Sequence, residues 1–123
     1  MGEFATVLNC MDGRVQRQVA DYLANSFEAR YIDTITTAGT VRHLATDTDQ
    51  TITLLANLAV SLDKHGSSQI AVVAHHDCAG NPIADNAQIE QLGEAIGRIR
   101  DNYPELEVIA LWVDTNWAIE RVG

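Results

Sequence analysis

Two short segments hold most of the side chains that could do chemistry: Cys10-Met11-Asp12-Gly13-Arg14 and His75-His76-Asp77-Cys78. Each follows an apolar run, Phe4-Ala5-Thr6-Val7-Leu8-Asn9 before the first and Ile70-Ala71-Val72-Val73-Ala74 before the second. Brought together, they would supply two thiols, an imidazole, a carboxylate and a guanidinium. Two Cys and one His (Cys10 and Cys78 with His75 or His76) form a soft donor set suited to Zn2+, with one coordination position left to fill. A disulfide between Cys10 and Cys78 would fit an oxidising compartment. Inert buried thiols would leave Asp12, Arg14 and His75 unexplained, and no Cys-x-x-Cys redox pair is present. A metal accounts for the whole set.

The segments meet only if the strands they terminate are neighbours, because ligands of an open α/β sheet gather at the carboxyl ends of adjacent strands. Both apolar runs read as parallel strands buried on two faces. A helix from about Val15 to Ala29 follows the first, with Val15, Val19, Tyr22, Leu23 and Phe27 at helical spacing. Tyr31 to Thr36 alternates and reads as strand two, ending at Ala38-Gly39. A polar loop through Arg42 to Asp49 leads to a second long helix, with Ile52, Leu55, Ala56, Ala59 and Leu62 as its apolar face and His65-Gly66 as its stop. After strand three, Gly80-Asn81-Pro82 is a turn, and Asp85 with Gln88 resembles a capping box. Ile89, Leu92, Ile96 and Ile99 form the buried stripe of the helix that follows, which Asn102-Tyr103-Pro104 ends. Val108 to Val113 is strand four, and Asn116 to Val122 adds a short edge strand. The expected fold is a three-layer, mostly parallel α/β sheet of strand order 2-1-3-4 with a C-terminal edge strand, one domain over residues 1–123.

Composition narrows the partners. The 123 residues carry a net charge of −9, which disfavours nucleic acid and acidic membrane surfaces. No apolar run approaches the eighteen or so residues of a membrane span. Strand one begins almost at Met1, so no signal peptide is expected and the location is read as cytoplasmic.

Cys10, Asp12 and Arg14 at one strand end, with His75 and Cys78 at a later one, resemble the β-class carbonic anhydrases residue for residue. Ala38-Gly39 falls where that family has an Arg-Asn-Ala-Gly segment, with Thr36-Thr37 in place of the Arg-Asn pair. The resemblance covers the chain in element order. It implies zinc held by Cys10, His75 and Cys78, and reversible hydration of carbon dioxide to bicarbonate by a zinc-bound hydroxide. It also implies a catalytic pair, Asp12 and Arg14, in which the guanidinium holds the carboxylate by a two-pronged contact and leaves the fourth zinc position open. A homodimer is implied too, its interface using the sheet edge and the loops around Arg42 and Asn81. The same site chemistry suits hydrolysis of carbonyl sulfide or carbon disulfide, or a non-catalytic zinc-binding relative. The family motif has its histidine three residues before the cysteine, so the resemblance gives the ligand role to His75 and leaves His76 as a supporting donor, proton carrier or solvated residue. Asp77 reads as a turn acceptor, His43 as a solvated loop residue, and His65 as a cation at a helix C-terminus.

Overall fold

Three seven-residue runs are apolar almost throughout because both their faces are covered. β1 (Phe4–Cys10), β3 (Gln69–His75) and β4 (Glu107–Val113) bury every residue after their first, the pattern of parallel strands between two helical layers. β2 (Tyr31–Thr37) lies at an edge and alternates instead. The computed structural model describes residues 2–123 and gives the sheet order β2-β1-β3-β4-β5. The first four strands are parallel, and β5 (Ile119–Arg121) returns antiparallel to β4. This is the expected topology. It places β1 beside β3, with Val7 opposite Ala71, so Cys10 and His75 end adjacent strands at the same edge of the sheet.

Strand alternation divides the core into two layers. Leu8, Ile70, Val72, Val108 and Ala110 face α3 (Thr51–His65) and α4 (Asp85–Asn102) on one side. Val7, Ala71, Val73, Ile109 and Leu111 pack with Val15, and with Val19 and Leu23 of α1 (Arg17–Ser26), on the other. Each of these side chains removed from water contributes about 1.5–3 kcal/mol if large and aliphatic. No helix among the described residues is long and apolar enough to cross a membrane.

Several local expectations are corrected. The first helix does not run unbroken from Val15 to Ala29: a 3-10 turn over Gly13–Val15 precedes α1, because the Asp12 carboxylate accepts the Arg14 N–H and caps that turn. The stretch read as a polar loop contains α2 (Thr40–Ala45), whose Val41 and Leu44 are buried. Six residues are too few to display a helical period.

α3 is a helix with the expected stop, since Gly66 takes a left-handed φ of 69°. Its buried face, however, is Thr51, Leu54, Leu58 and Ser61, while Ile52 is 80% exposed. Thr51 and Ser61 can enter the interior because their hydroxyls donate to the His43 carbonyl at 2.6 Å and the Asp33 carboxylate at 2.7 Å. α4 lacks the anticipated capping box: Ala84 precedes it without a side-chain cap, Gln88 is buried and donates to the Asn81 carbonyl, and Ile89 is partly exposed. Asn81, expected at an interface loop, is itself buried, with its amide donating to Gln88 and Gln91.

Candidate metal centre

Cys10 is the last residue of β1 and His75 the last of β3. Cys78 reaches them because Asp77 adopts a left-handed φ of 57° and turns the chain back after β3, a conformation Asp tolerates better than most residues. One ligand atom from each of Cys10, His75 and Cys78 lies within 4.8 Å of the others, and all three residues are buried. The sulfurs stand 3.8 Å apart, both cysteines free. Two thiolates bound tetrahedrally to zinc at about 2.3 Å would stand about 3.8 Å apart, so the spacing fits that ion.

The imidazole is oriented by the chain. His75 Nδ1 lies 2.7 Å from the His76 carbonyl. A carbonyl only accepts, so Nδ1 carries the proton and Nε2 presents a lone pair. That Nε2 is buried and has no hydrogen-bond partner. An orphaned buried acceptor costs about 1–3 kcal/mol, and a metal would remove that cost.

Charge is already shared within the cluster. The Cys10 thiol is pushed well below its ordinary value, chiefly by the hydrogen bond from Cys78, with His75 and the Gly39 amide adding to the effect against the cost of burial. Cys78 is pushed up in turn, by its bond to Cys10 and by burial. Burial depresses His75, yet the neighbouring Cys10 sulfur and the His76 carbonyl prevail and the net direction is upward. The two thiols are thus inequivalent, Cys10 the more readily deprotonated.

Gly39 donates its N–H to Cys10 Sγ at 3.4 Å. It can do so because the loops after β2 and β3 touch backbone to backbone: a Cβ on Gly39 would lie 2.5 Å from the Gly80 carbonyl oxygen, and one on Gly80 would lie 2.5 Å from the Ala38 carbonyl carbon. Only glycine permits that approach.

Asp12 and Arg14 form the expected pair. Arg14 Nη2 donates to Asp12 Oδ2 at 2.7 Å and Nε to Oδ1 at 3.1 Å. The side-chain bond from Arg14 holds the Asp12 carboxyl down at about 2 against a modest effect of burial. Two partners were not anticipated. Arg14 also donates to the Asp77 carboxylate at 3.2 Å and the Asp77 carbonyl at 3.0 Å, and its guanidinium lies 4.3 Å from the Trp117 ring centroid. Asp77 is thus more than a turn residue. Nothing in the local sequence around Trp117 signals its place, since the contact joins opposite ends of the chain.

The remaining histidines lie outside the cluster. His76 Nδ1 lies 2.9 Å from the Asp85 carboxylate, at the start of α4. His43 is not solvated, as expected from its neighbours, but buried between the Thr48 hydroxyl at 2.6 Å and the Ala38 carbonyl at 3.2 Å. α2 carries it inward. His65 ends α3 as expected and lies 2.6 Å from the Asp33 carboxylate. The cleft of about 400 Å³ beside it is lined by Asp33, Ser61 and Val60 and contains none of the cluster residues.

Comparison with known proteins agrees with this architecture. Among solved structures, the chain is similar to the β-carbonic anhydrase CafA of Aspergillus fumigatus, at 11% identity and a TM-score of 0.63, over 98% of this chain and 76% of that one. It is also similar to tetrameric β-carbonic anhydrases of Sordaria macrospora, at 12% identity and a TM-score of 0.55, over 100% of this chain and 82% of that one. The β-carbonic anhydrase CcaA gives 14% identity and a TM-score of 0.57, over 100% and 81% of the two chains. At such identities the likeness is one of fold. No curated protein sequence matches significantly. The family described as "Putative carbonic anhydrase" matches residues 1–123, and the chain belongs to that family.

Proposed function

We propose that the chain is a zinc enzyme that hydrates carbon dioxide reversibly to bicarbonate, with Cys10, His75 and Cys78 holding the metal. The observation that carries this reading is the buried, partnerless Nε2 of His75, 1% exposed as a residue and beside two sulfurs 3.8 Å apart. When bound there, zinc would supply a Lewis acid able to lower the pKa of a water to roughly 7.

The chain's own groups do the rest. Cys10 and Cys78, once both are thiolates, cancel the charge of the ion, and the His76 carbonyl fixes the imidazole tautomer that can bind it. Asp12 stays ionised across the working range because its carboxyl is held at about 2. It therefore serves as a hydrogen-bond acceptor that orients the reacting water rather than as a base that keeps a proton. Arg14 grips both carboxylate oxygens, which keeps Asp12 from becoming a ligand itself. A purely structural zinc needs neither residue.

Stopped-flow hydration of carbon dioxide by the zinc-loaded protein, with carbonyl sulfide hydrolysis in parallel, tests the reading. Carbon dioxide hydration above buffer, lost in Arg14→Ala with zinc retained and partly restored in Arg14→Lys, is the expected result. Activity on carbonyl sulfide alone would replace the substrate, and inactivity on both would replace the enzyme with a zinc-binding protein.

The reading includes a homodimer. The outer edge of β2, with Ile52 and Val60 exposed on α3, is the surface that supports it.

A further inference from the structure

Arg14 is held from more directions than a simple ion pair requires. Its edge grips Asp12, its other amino group reaches the Asp77 carboxylate, and its face is covered by Trp117 at 4.3 Å. The indole comes from the β4–β5 hairpin, the far end of the chain. Several groups fix it there. Trp117 takes a left-handed φ of 61°, which is unfavourable for a bulky side chain and persists only where surroundings impose it. Asp114 imposes it: its carboxylate accepts the Asn116 and Ala118 amides at 2.8 and 3.1 Å, and its carbonyl accepts the Trp117 N–H at 2.9 Å. From α1, the Gln18 amide donates both to the Arg14 carbonyl and to the Trp117 carbonyl. One side chain thus staples the backbone of the arginine to the backbone of the tryptophan.

We propose that Trp117 is a positioning residue, its indole face locking the Arg14 guanidinium in its grip on Asp12. A cation over an aromatic face gains electrostatic attraction from the ring quadrupole, more so where water is displaced. With the indole gone, Arg14 keeps Asp77 as a competing carboxylate and has solvent on its open face, so its hold on Asp12 slackens. Asp12, two residues from Cys10, is then free to turn toward the sulfur–imidazole cluster and compete there with water. The clamp itself belongs to the metal-free protein. Its effect on the site rests on the function proposed above.

The test has two arms, applied to the parent, Trp117→Ala and Trp117→Phe. In the metal-free proteins, NMR of the arginine Nε–H groups reads the clamp. The parent Arg14 signal is shifted by the indole ring current and exchanges slowly with water. In Trp117→Ala it loses that shift and exchanges on the order of tenfold faster, and in Trp117→Phe it falls between. In the cobalt-loaded proteins, thiocyanate titration reads access to the metal. Affinity falls on the order of fivefold in Trp117→Ala and is partly restored in Trp117→Phe, with metal content unchanged. Should Trp117→Ala not fold, the graded shift and affinity of Trp117→Phe decide. Unaltered Arg14 exchange, or unaltered thiocyanate affinity in metal-loaded variants, overturns the proposal. A parent that takes up no metal sinks the proposed function instead, and the Nε–H arm alone then decides the clamp.

Discussion

Asp12 is pulled two ways: two residues from a cysteine of the cluster, yet bonded through both carboxylate oxygens to Arg14. Its carboxyl sits at about 2, below the ordinary 3.8, chiefly because of the Arg14 side-chain bond. A depressed folded-state pKa contributes stability that is fully present above the unfolded value and lost as pH falls through the folded one. Nearly two pH units would correspond to about 2.4 kcal/mol. Arg14 is half exposed, so solvent screening reduces this to about 1 kcal/mol. Asp12→Asn is expected to be less stable than the parent by about that amount at pH 7 in urea unfolding. The gap should close between pH 4 and pH 2, where the parent loses the pair. A gap that is constant with pH would mean that the carboxylate charge contributes nothing.

The loops after β2 and β3 are the elements that bring the sulfurs into register, and two glycines set how closely they approach. Gly39 combines a φ of 65° with backbone atoms of Gly80 where a Cβ would go. Gly66, at the end of α3, has a φ of 69° but open space around it. Gly66→Ala should therefore cost about 1 kcal/mol for the left-handed conformation alone. Gly39→Ala should cost about 3 kcal/mol, adding the expense of overpacking, and should weaken metal binding because the N–H to Cys10 Sγ is displaced. Chemical denaturation and a zinc competition assay on both variants check the difference, and equal costs would contradict the close-approach argument.

The same elements show what the sequence could reveal. β1, β3 and β4 were readable because burial on two faces leaves an unbroken apolar run, and the cysteine, histidine and dyad spacings are local. α2 was hidden by its length. The inward face of α3 was misread because Thr51 and Ser61 are polar residues whose hydroxyls are satisfied internally, so the hydrophobic period pointed toward Ile52 instead. The contacts of Trp117 and Asp77 with Arg14 depend on the closed fold, and no short-range pattern encodes them.

On the whole molecule, β2 forms one edge of the sheet and α3 exposes the apolar Ile52 and Val60. An exposed edge strand invites pairing unless covered. Sedimentation at micromolar concentration should give a dimer, and Ile52→Lys with Val60→Lys should shift it toward monomer; a parent that is monomeric throughout would leave these residues as ordinary surface. X-ray absorption on the purified protein, with its zinc quantified, reads the metal centre itself. One zinc per chain, with two sulfurs at about 2.3 Å and nitrogen at about 2.0 Å, is expected, together with sharp loss of metal in Cys78→Ser. Absence of zinc uptake, or full occupancy in Cys78→Ser with an unchanged sulfur shell, would rule out a zinc centre held by Cys10, His75 and Cys78.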